Sequence, residues 1–464
     1  GEWQPPELLT AFILGKIKRD AEAFLREEVD AAVITVPSCF NSVQRQSVKD
    51  AAEIAGLKVA RLLNESTAAA LTYAFRLISK RCVTEKILIF HLGGGMFDAS
   101  IVEISRPSFH DAATIEVLAT AGDTATGGID MDEAIFSSLL AKFKKDTGID
   151  LRSNEAAIMR IREAAEDAKI RLSYQSSVEI SVSSIVQSTT LRMRMTRVEL
   201  ERLVKPMIER CKPVIDQMLK DTKGGRLGLK DIDHFIPIGG PTRMPIVQRL
   251  IQEYAHGRLA GGVDPMECVS TGAAIEAAAI TGEAKGLMLL DVTPWSIGVE
   301  ASNGSFKKLI EKNTTIPTTR SEVFSTAQDF QTCLTVRVFE GENEMAKKNV
   351  LLGVLDFTGI PPAPKGVPRI EIRIDIDVNS LVIIGGKDLA TERQLQVTLS
   401  PCLLGKTGDS LTKYARYLVE TTDKINEIKM RDEIAEYGKY LARLEDLKQR
   451  GQIGDKTYEE LKAE

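Results

Sequence analysis

Apolar positions along the 464-residue chain change their spacing more than once, and each change marks a different kind of structure. Behind Pro5-Pro6, the spacing of Leu8, Leu9, Phe12 and Ile13 predicts a helix over 8–28 that packs along that face. Ala31–Val36, closed by Pro37, is a short apolar run suited to a buried strand. A helix is predicted over Gln44–Ile54, ended by Gly56, and Leu57–Leu63 forms another strand-like run. Ile87–Phe90, Ala99–Ile104 and Ile115–Ala119 continue the alternation, which defines an α/β domain. Helical spacing dominates 131–173. Val178, Ile180 and Val182 then alternate with polar residues, as in a strand with one solvated face, and helix, strand and helix follow to about 284.

Beyond that point the pattern turns to period two. Leu287–Val292 is a short apolar segment read as a linker. Leu334, Val336 and Val338 alternate with polar residues, and Ile370, Ile372, Ile374, Ile376 and Val378 do so over nine positions. Turn signals at Asn303-Gly304, Gly359, Pro361-Pro362 and Gly385-Gly386 separate these runs, as in a β-sandwich. After about 410, Ile434, Tyr437, Leu441 and Leu444 mark the apolar stripe of a helix, interrupted by Gly451 and Gly454. The predicted order is an α/β domain over 1–285, a linker over 286–293, a β-sandwich over 294–408 and a short helical segment over 409–464.

Composition narrows the function classes. Hydrophobic residues are 43% and charged residues 27%, an ordinary soluble balance, and the net charge of −5 leaves no basic excess to neutralise nucleic-acid phosphates. Lys144-Lys145-Asp146 reads as a solvated helix face. The six cysteines (39, 82, 211, 268, 333 and 402) stand singly, without a C-x-x-C pair, which suits reduced thiols better than a disulfide framework. None of the four histidines is clustered with cysteine or carboxylate at ligand spacing, so no metal is expected. No apolar run reaches bilayer length. The chain starts at Gly1 followed by Glu2-Trp3-Gln4, unlike a signal peptide, and is read as the cut edge of a longer protein.

Four segments carry candidate chemistry. In Ile87–Asp98 a buried strand runs into Gly93, Gly94 and Gly95, whose missing Cβ atoms would let backbone N–H groups approach a phosphate; a tight hairpin without function is the alternative. Phe235–Pro245 places Gly239 and Gly240 after a strand, with Arg243 able to stack on a flat ring or pair with phosphate; the alternative is an ordinary loop with an incidental arginine. Glu166, Lys169 and Ser173 stand at i, i+3 and i+7, on one helix face able to hydrogen-bond a sugar and base. Read without a ligand, they are a surface ion pair worth about 0.3–0.5 kcal/mol. Asn64–Ala70 closes a strand and opens an alanine-rich helix; Glu65 could act on water or magnesium there, or Asn64 or Ser66 could merely cap the helix.

The order of these segments resembles the actin, sugar-kinase and heat-shock ATPase clan. Val33–Pro37, Asn64–Ala70, His91–Asp98, Gly122-Asp123-Thr124, Gly127-Gly128, Gly239–Pro245, Leu289–Pro294, Asn313–Thr318, Phe324–Ala327 and Ile360–Pro364 are similar to the 70-kDa heat-shock (DnaK-type) chaperones in particular. The likeness spans residues 5 to roughly 400, and 146–173 is nearer the bacterial and organellar branch. It implies a multidomain chain: an actin-like α/β ATPase domain with its first lobe partly missing, a β-sandwich peptide-binding domain and a short α-helical lid.

The same resemblance assigns roles. Gly93, Gly94 and Gly95 would hold the phosphates of ATP or ADP with Mg2+, while Glu166, Lys169, Ser173, Gly239, Gly240 and Arg243 would hold the adenosine. Glu65 and Asp98 would remain of the catalytic set. Pro37 and Arg45 would relay nucleotide state, with Leu289, Leu290 and Asp291 in the interdomain linker. Val299, Phe324, Ala327, Leu334 and Val336 would line a groove for an extended hydrophobic polypeptide. J-domain and nucleotide-exchange cochaperones are the implied partners, and the cytoplasm or the mitochondrial matrix the implied compartment.

Departures from the family pattern fall on the chemistry. His91 stands where the family has an aspartate that orients magnesium and water, and Met96 where it has a threonine. The family's first phosphate loop and catalytic lysine are not found, so weak or absent ATP hydrolysis is expected. Ser66 and Ile129 replace a proline and a glutamate, Met266 an acidic residue and Ser302 a larger apolar one. Pro237 is read as interrupting an inner strand. A nucleotide-independent holdase and a degraded, non-functional product are the competing readings.

Overall fold

The computed structural model describes residues 5–398, apart from 79–81, 109–110, 187–188 and 223. The predicted lid over 409–464 therefore lies outside the described residues. In chain order the elements are α1 (Pro6–Leu25), β1 (Ala31–Val36), α2 (Ser42–Ile54), β2 (Lys58–Asn64), α3 (Glu65–Ile78), β3 (Val83–Leu92), β4 (Phe97–Arg106), β5 (Ala113–Asp123), α4 (Gly128–Thr147) and α5 (Glu155–Tyr174). They continue as β6 (Ser177–Val186), β7 (Thr189–Thr196), α6 (Arg197–Lys220), β8 (His234–Ile238), α7 (Pro245–Ala255), α8 (Cys268–Ile280) and β9 (Leu287–Val292). The remainder is all strand: β10 (Ile297–Glu300), β11 (Phe306–Ile310), β12 (Thr315–Ile316), β13 (Thr318–Phe324), β14 (Cys333–Glu340), β15 (Val350–Thr358), β16 (Ile370–Ile376), β17 (Val382–Asp388) and β18 (Gln394–Thr398).

Two compact units result, one of residues 5–30 with Ser47–Lys58 and the other of Ala31–Gln46 with residues 59–398. The first packs Leu8 and Ala11 of α1 against Ala51 and Ile54 of α2, with Phe12, Leu14 and Ala55 around them. The predicted face of α1 is only partly the buried one: Leu9 and Ile13 are 54% and 62% exposed, because the buried stripe runs Leu8, Ala11, Gly15 instead. The α1 helix ends one residue past Leu25, where Arg26 takes a left-handed conformation (φ 60°) and its N–H bonds the Glu22 carbonyl.

The second unit is organised by a six-stranded mixed sheet in the order β12-β9-β5-β4-β3-β8. Its inner strands are buried on both faces, so they read as continuous apolar runs rather than alternating ones. On β3, Leu88, Phe90 and Leu92 enter a core shared with α4 to α7, while Ile87 and Ile89 enter a second core shared with α3 and the start of α8. The α3 and α8 helices approach so closely that a Cβ on Gly272 would lie 1.8 Å from the Ala68 carbonyl oxygen.

One expectation needs correcting here. Pro237 does not interrupt an inner strand, because β8 is the last strand of the sheet, paired in parallel with β3 and bridged on its other side by Phe235 to Leu259 alone among the described residues. Its missing donor leaves no inner ladder bond unmade. The segment Leu287–Val292, read as the linker, takes the form of a strand: β9 pairs in parallel with β5 and antiparallel with β12.

The period-two segments form two four-stranded sheets, β11-β10-β14-β15 and β13-β16-β17-β18. One core joins them, with Val299, Val336, Val338, Leu355 and Phe357 from the first and Ile370, Ile372, Ile374, Ile376 and Ile384 from the second. The predicted alternation is seen in β16, whose four isoleucines are buried while the residues between them are not, but its fifth position, Val378, lies beyond the strand and is exposed.

Candidate functional site

The β3–β4 hairpin positions the first group. Its register sets His91 directly opposite Asp98 and closes with Gly93 donating to the Met96 carbonyl at 3.0 Å. The hairpin alternative raised for the three glycines is thus its backbone form. What surrounds the turn is more specific. Gly128 and Ile129, at the start of α4, donate to the Gly93 and Gly94 carbonyls at 2.9 and 2.7 Å. A Cβ on Gly127 would lie 2.5 Å from the Gly94 oxygen, so only glycine admits this approach. Gly94 and Gly95 are exposed with nothing near their missing side chains, so the side of the turn away from Gly127 is open.

Below the turn, His91 Nδ1 lies 2.9 Å from Asp98 Oδ2 and 3.5 Å from Glu65 Oε2. Asp98 is fully buried, and its Oδ1 has no hydrogen-bond partner among the described residues. Burial alone would lower the affinity of His91 for a proton, but the charge and hydrogen bond of Asp98, then the charge of Glu65, outweigh it and raise the imidazole. Burial also raises Glu65, with His91 opposing and Asp98 adding to the rise. The expectation of no histidine clustered with carboxylates is therefore wrong. Strand register and the β2–α3 junction, rather than spacing along the chain, bring the three together.

A cleft of about 360 Å3 opens beside the turn. Gly94, Glu166, Lys169, Ser173, Gly240 and Arg243 line it together, so most of the residues assigned to nucleotide by resemblance converge on one cavity. Gly239, assigned with them, does not line the cleft; it precedes Gly240 with φ +90°, where a Cβ would strike the Leu92 oxygen at 2.1 Å. Lys169 is not a surface ion pair with Glu166: its Nζ donates to Asp132 at 2.7 Å and to the Gly128 carbonyl at 3.2 Å. Among the described residues Arg243 makes only long contacts, to the Tyr174 hydroxyl at 3.5 Å and Asp264 at 3.4 Å.

Sequence reasoning missed Asp132, Ile170 and Tyr174 in the cleft wall. Asp132 could have been found, since it falls one turn after Gly128 on the helix that closes the glycine turn. Ile129 and Met266, noted only as departures, give the cleft apolar patches and are 61% and 59% exposed.

A buried polar chain runs from the assigned relay residues to β9. Arg45, 1% exposed, donates to Asn64 Oδ1 at 2.5 Å, and Asn64 Nδ2 donates to both oxygens of Asp291 at 3.0 and 2.9 Å. Thr67 and the Val292 N–H also donate to Asp291. Burial raises Asp291 despite these donors. Pro37 follows β1 and accepts from the Phe40 N–H, while Leu289 packs against the second core of the main sheet and Leu290 is half-buried. Of the five residues assigned to a peptide groove, Val299 and Val336 are buried in the core of the paired sheets, Phe324 and Leu334 pack against it, and Ala327 is exposed.

Comparison with known proteins bears on this arrangement. The family model described as Hsp70 protein matches residues 1–460. The chain belongs to the Hsp70 family. Three relatives, each named chaperone protein DnaK, illustrate the similarity. That of Elusimicrobium minutum is 45% identical over 438 residues, covering 93% of this chain and 68% of the relative. That of Endomicrobium trichonymphae is 45% identical over 437 residues, 92% of this chain and 68% of the relative. That of Methanothermobacter thermautotrophicus is 46% identical over 404 residues, 86% and 66%. The mixed α/β content and multiple sheets of this Hsp70 chain fit an actin-like ATPase domain. No helix of the described residues is long and apolar enough to cross a membrane.

Proposed function

We propose that this Hsp70-family chain is a chaperone component that binds ATP or ADP in the cleft beside the glycine turn and extended hydrophobic segments of unfolded proteins on its paired β-sheets. The observation that carries the reading is the convergence of Gly94, Glu166, Lys169, Ser173, Gly240 and Arg243 on one cavity. The uncovered Cβ side of Gly94 and Gly95 suits the approach of phosphate oxygens, and the mixed wall of Ile129, Ile170 and Met266 with Arg243 suits a flat base. The name DnaK carried by the relatives supports the same reading.

Magnesium fits the donor set poorly. Mg2+ takes oxygen ligands in near-octahedral geometry, and His91 places an imidazole nitrogen between the two carboxylates. Hydrolysis by this chain is therefore slow, and nucleotide acts mainly as a ligand. J-domain and nucleotide-exchange cochaperones are the partners this reading implies.

Calorimetric titration of ADP and ATP into the purified chain tests it. One site is expected, and Lys169→Ala or Arg243→Ala should weaken it while the fold persists. A folded chain that takes up neither nucleotide would overturn the proposal. Titration of a fluorescent apolar peptide in parallel tests the second half, and absence of saturable binding would remove it.

A further inference from the structure

The Glu65, His91 and Asp98 side chains bring three potential metal-ligand atoms within 4.8 Å of one another. Two features point to a cation. The first is the orphaned Asp98 Oδ1, which belongs to a side chain with no exposure. A buried carboxylate oxygen without a donor costs about 1–3 kcal/mol or more, and a cation on the same carboxylate would offset that cost by neutralising its charge. The second is charge: two carboxylates face a single imidazole, so even the imidazolium form leaves a net negative group. A divalent ion with neutral histidine balances it.

We propose that Glu65, His91 and Asp98 bind a borderline divalent transition-metal ion, Zn2+ being the type, directly and without nucleotide. One imidazole nitrogen with two carboxylate oxygens suits such ions better than magnesium. Zinc bonds of about 2.0–2.2 Å place tetrahedral ligand atoms about 3.4 Å apart. The separations from Nδ1 to Asp98 and Glu65, 2.9 and 3.5 Å, lie on either side of that value. Metal on Nδ1 puts the ring proton on Nε2, the atom that lies toward Gly93. Three protein ligands leave a fourth position open, and the 25% exposed Glu65 side chain marks the entry. The site stands apart from the nucleotide reading, since it needs no residue of the adjoining cleft.

Co2+ as a visible-absorbing probe tests it on the full chain stripped of metal by chelation. Stoichiometric d–d bands are expected, bleached by one equivalent of Zn2+ and unaffected by millimolar Mg2+. His91→Ala should abolish the bands and weaken Zn2+ roughly 100-fold or more. His91→Asp, an all-oxygen site, should also lose them, and far-UV circular dichroism confirms that both variants remain folded. Three results overturn the proposal: no bands from the folded chain, bands that survive in His91→Ala, or intense thiolate-to-metal absorption that assigns the ion to a cysteine.

Discussion

Asn64→Ala cuts the buried chain between Arg45 and Asp291 while leaving both charges in place. Asn64 is 3% exposed and is the bridge, accepting from Arg45 at 2.5 Å and donating twice to Asp291 at 3.0 and 2.9 Å. After truncation Arg45 keeps the Phe40 carbonyl at 3.1 Å and the Ser38 carbonyl at 3.4 Å, and Asp291 keeps Thr67 and the Val292 N–H. A hydrogen bond to a charged group is worth about 1.5–3 kcal/mol, and breaking a buried charged network costs about 3–5 kcal/mol in all. With a urea dependence of about 3 kcal/mol per molar, the unfolding midpoint should fall by about 1–1.7 M. Trp295 fluorescence is a suitable monitor, because its indole N–H donates to the Cys39 carbonyl at 2.9 Å in the same region. A double-mutant cycle with Asp291→Asn should show coupling of at least about 1 kcal/mol, since a neutral amide in place of that carboxylate no longer demands the donors. A midpoint shift below about 0.3 M, or strict additivity in the cycle, would refute the reasoning.

Glu340 titrates in the opposite sense to an ordinary surface carboxylate. Burial pushes it up to about 7, against the Ser42 hydrogen bonds and the Arg45 charge. A raised carboxyl means that the folded state holds the proton longer, so the contribution of Glu340 to stability is fully present below about pH 4.5 and is lost as pH rises through 7, by about 3 kcal/mol. Glu340→Gln should therefore match the wild type near pH 4.5 and exceed it by about 2–3 kcal/mol at pH 8 in urea melts; a pH-independent difference would count against this account. Gly272→Ala pushes a Cβ to 1.8 Å from the Ala68 oxygen, and separating α3 from α8 should cost more than about 2 kcal/mol, read as a lowered thermal midpoint. An unchanged midpoint would mean the helices yield freely. Arg243→Ala removes a 43% exposed side chain with long contacts, so the midpoint should stay within about 1 °C of wild type while ADP affinity falls about tenfold or more. Equal affinity would place the base elsewhere.

How much of this was legible depended on whether the information was local. Strand and helix order followed the apolar spacing closely, because strands buried on both faces must be continuous runs and β16 must alternate. The stripe of α1 is ambiguous in sequence because Leu8, Leu9, Phe12 and Ile13 fit two adjacent faces equally, and only contact with Ala51 and Ile54 selects between them. Pro237 was misplaced because strand order is a property of the sheet, not of the strand. The strand form of Leu287–Val292 was not legible, since six residues, all but one apolar, carry no sign of which sheet edge will accept them. The cleft was anticipated in its glycines and helix face. Asp132 was missed because its role exists only through a Lys169 ammonium 37 residues away.

The distribution of these misses separates geometry from chemistry at the centre of the molecule. Gly127 against the Gly94 carbonyl and Gly239 against the Leu92 carbonyl are steric requirements, and any side chain at either position breaks the frame. Family resemblance reads such positions well. His91 is different in kind, since the strand register, the Asp98 opposite it and the Glu65 beside it would all persist with an aspartate at that place. The frame therefore tolerates a change of donor without a change of fold. With aspartate the group would carry three carboxylates; with histidine it carries two and an imidazole whose proton affinity they raise. That single exchange shifts the preferred occupant from a hard oxygen-seeking ion towards a borderline one or a proton, while leaving the adjoining cleft intact.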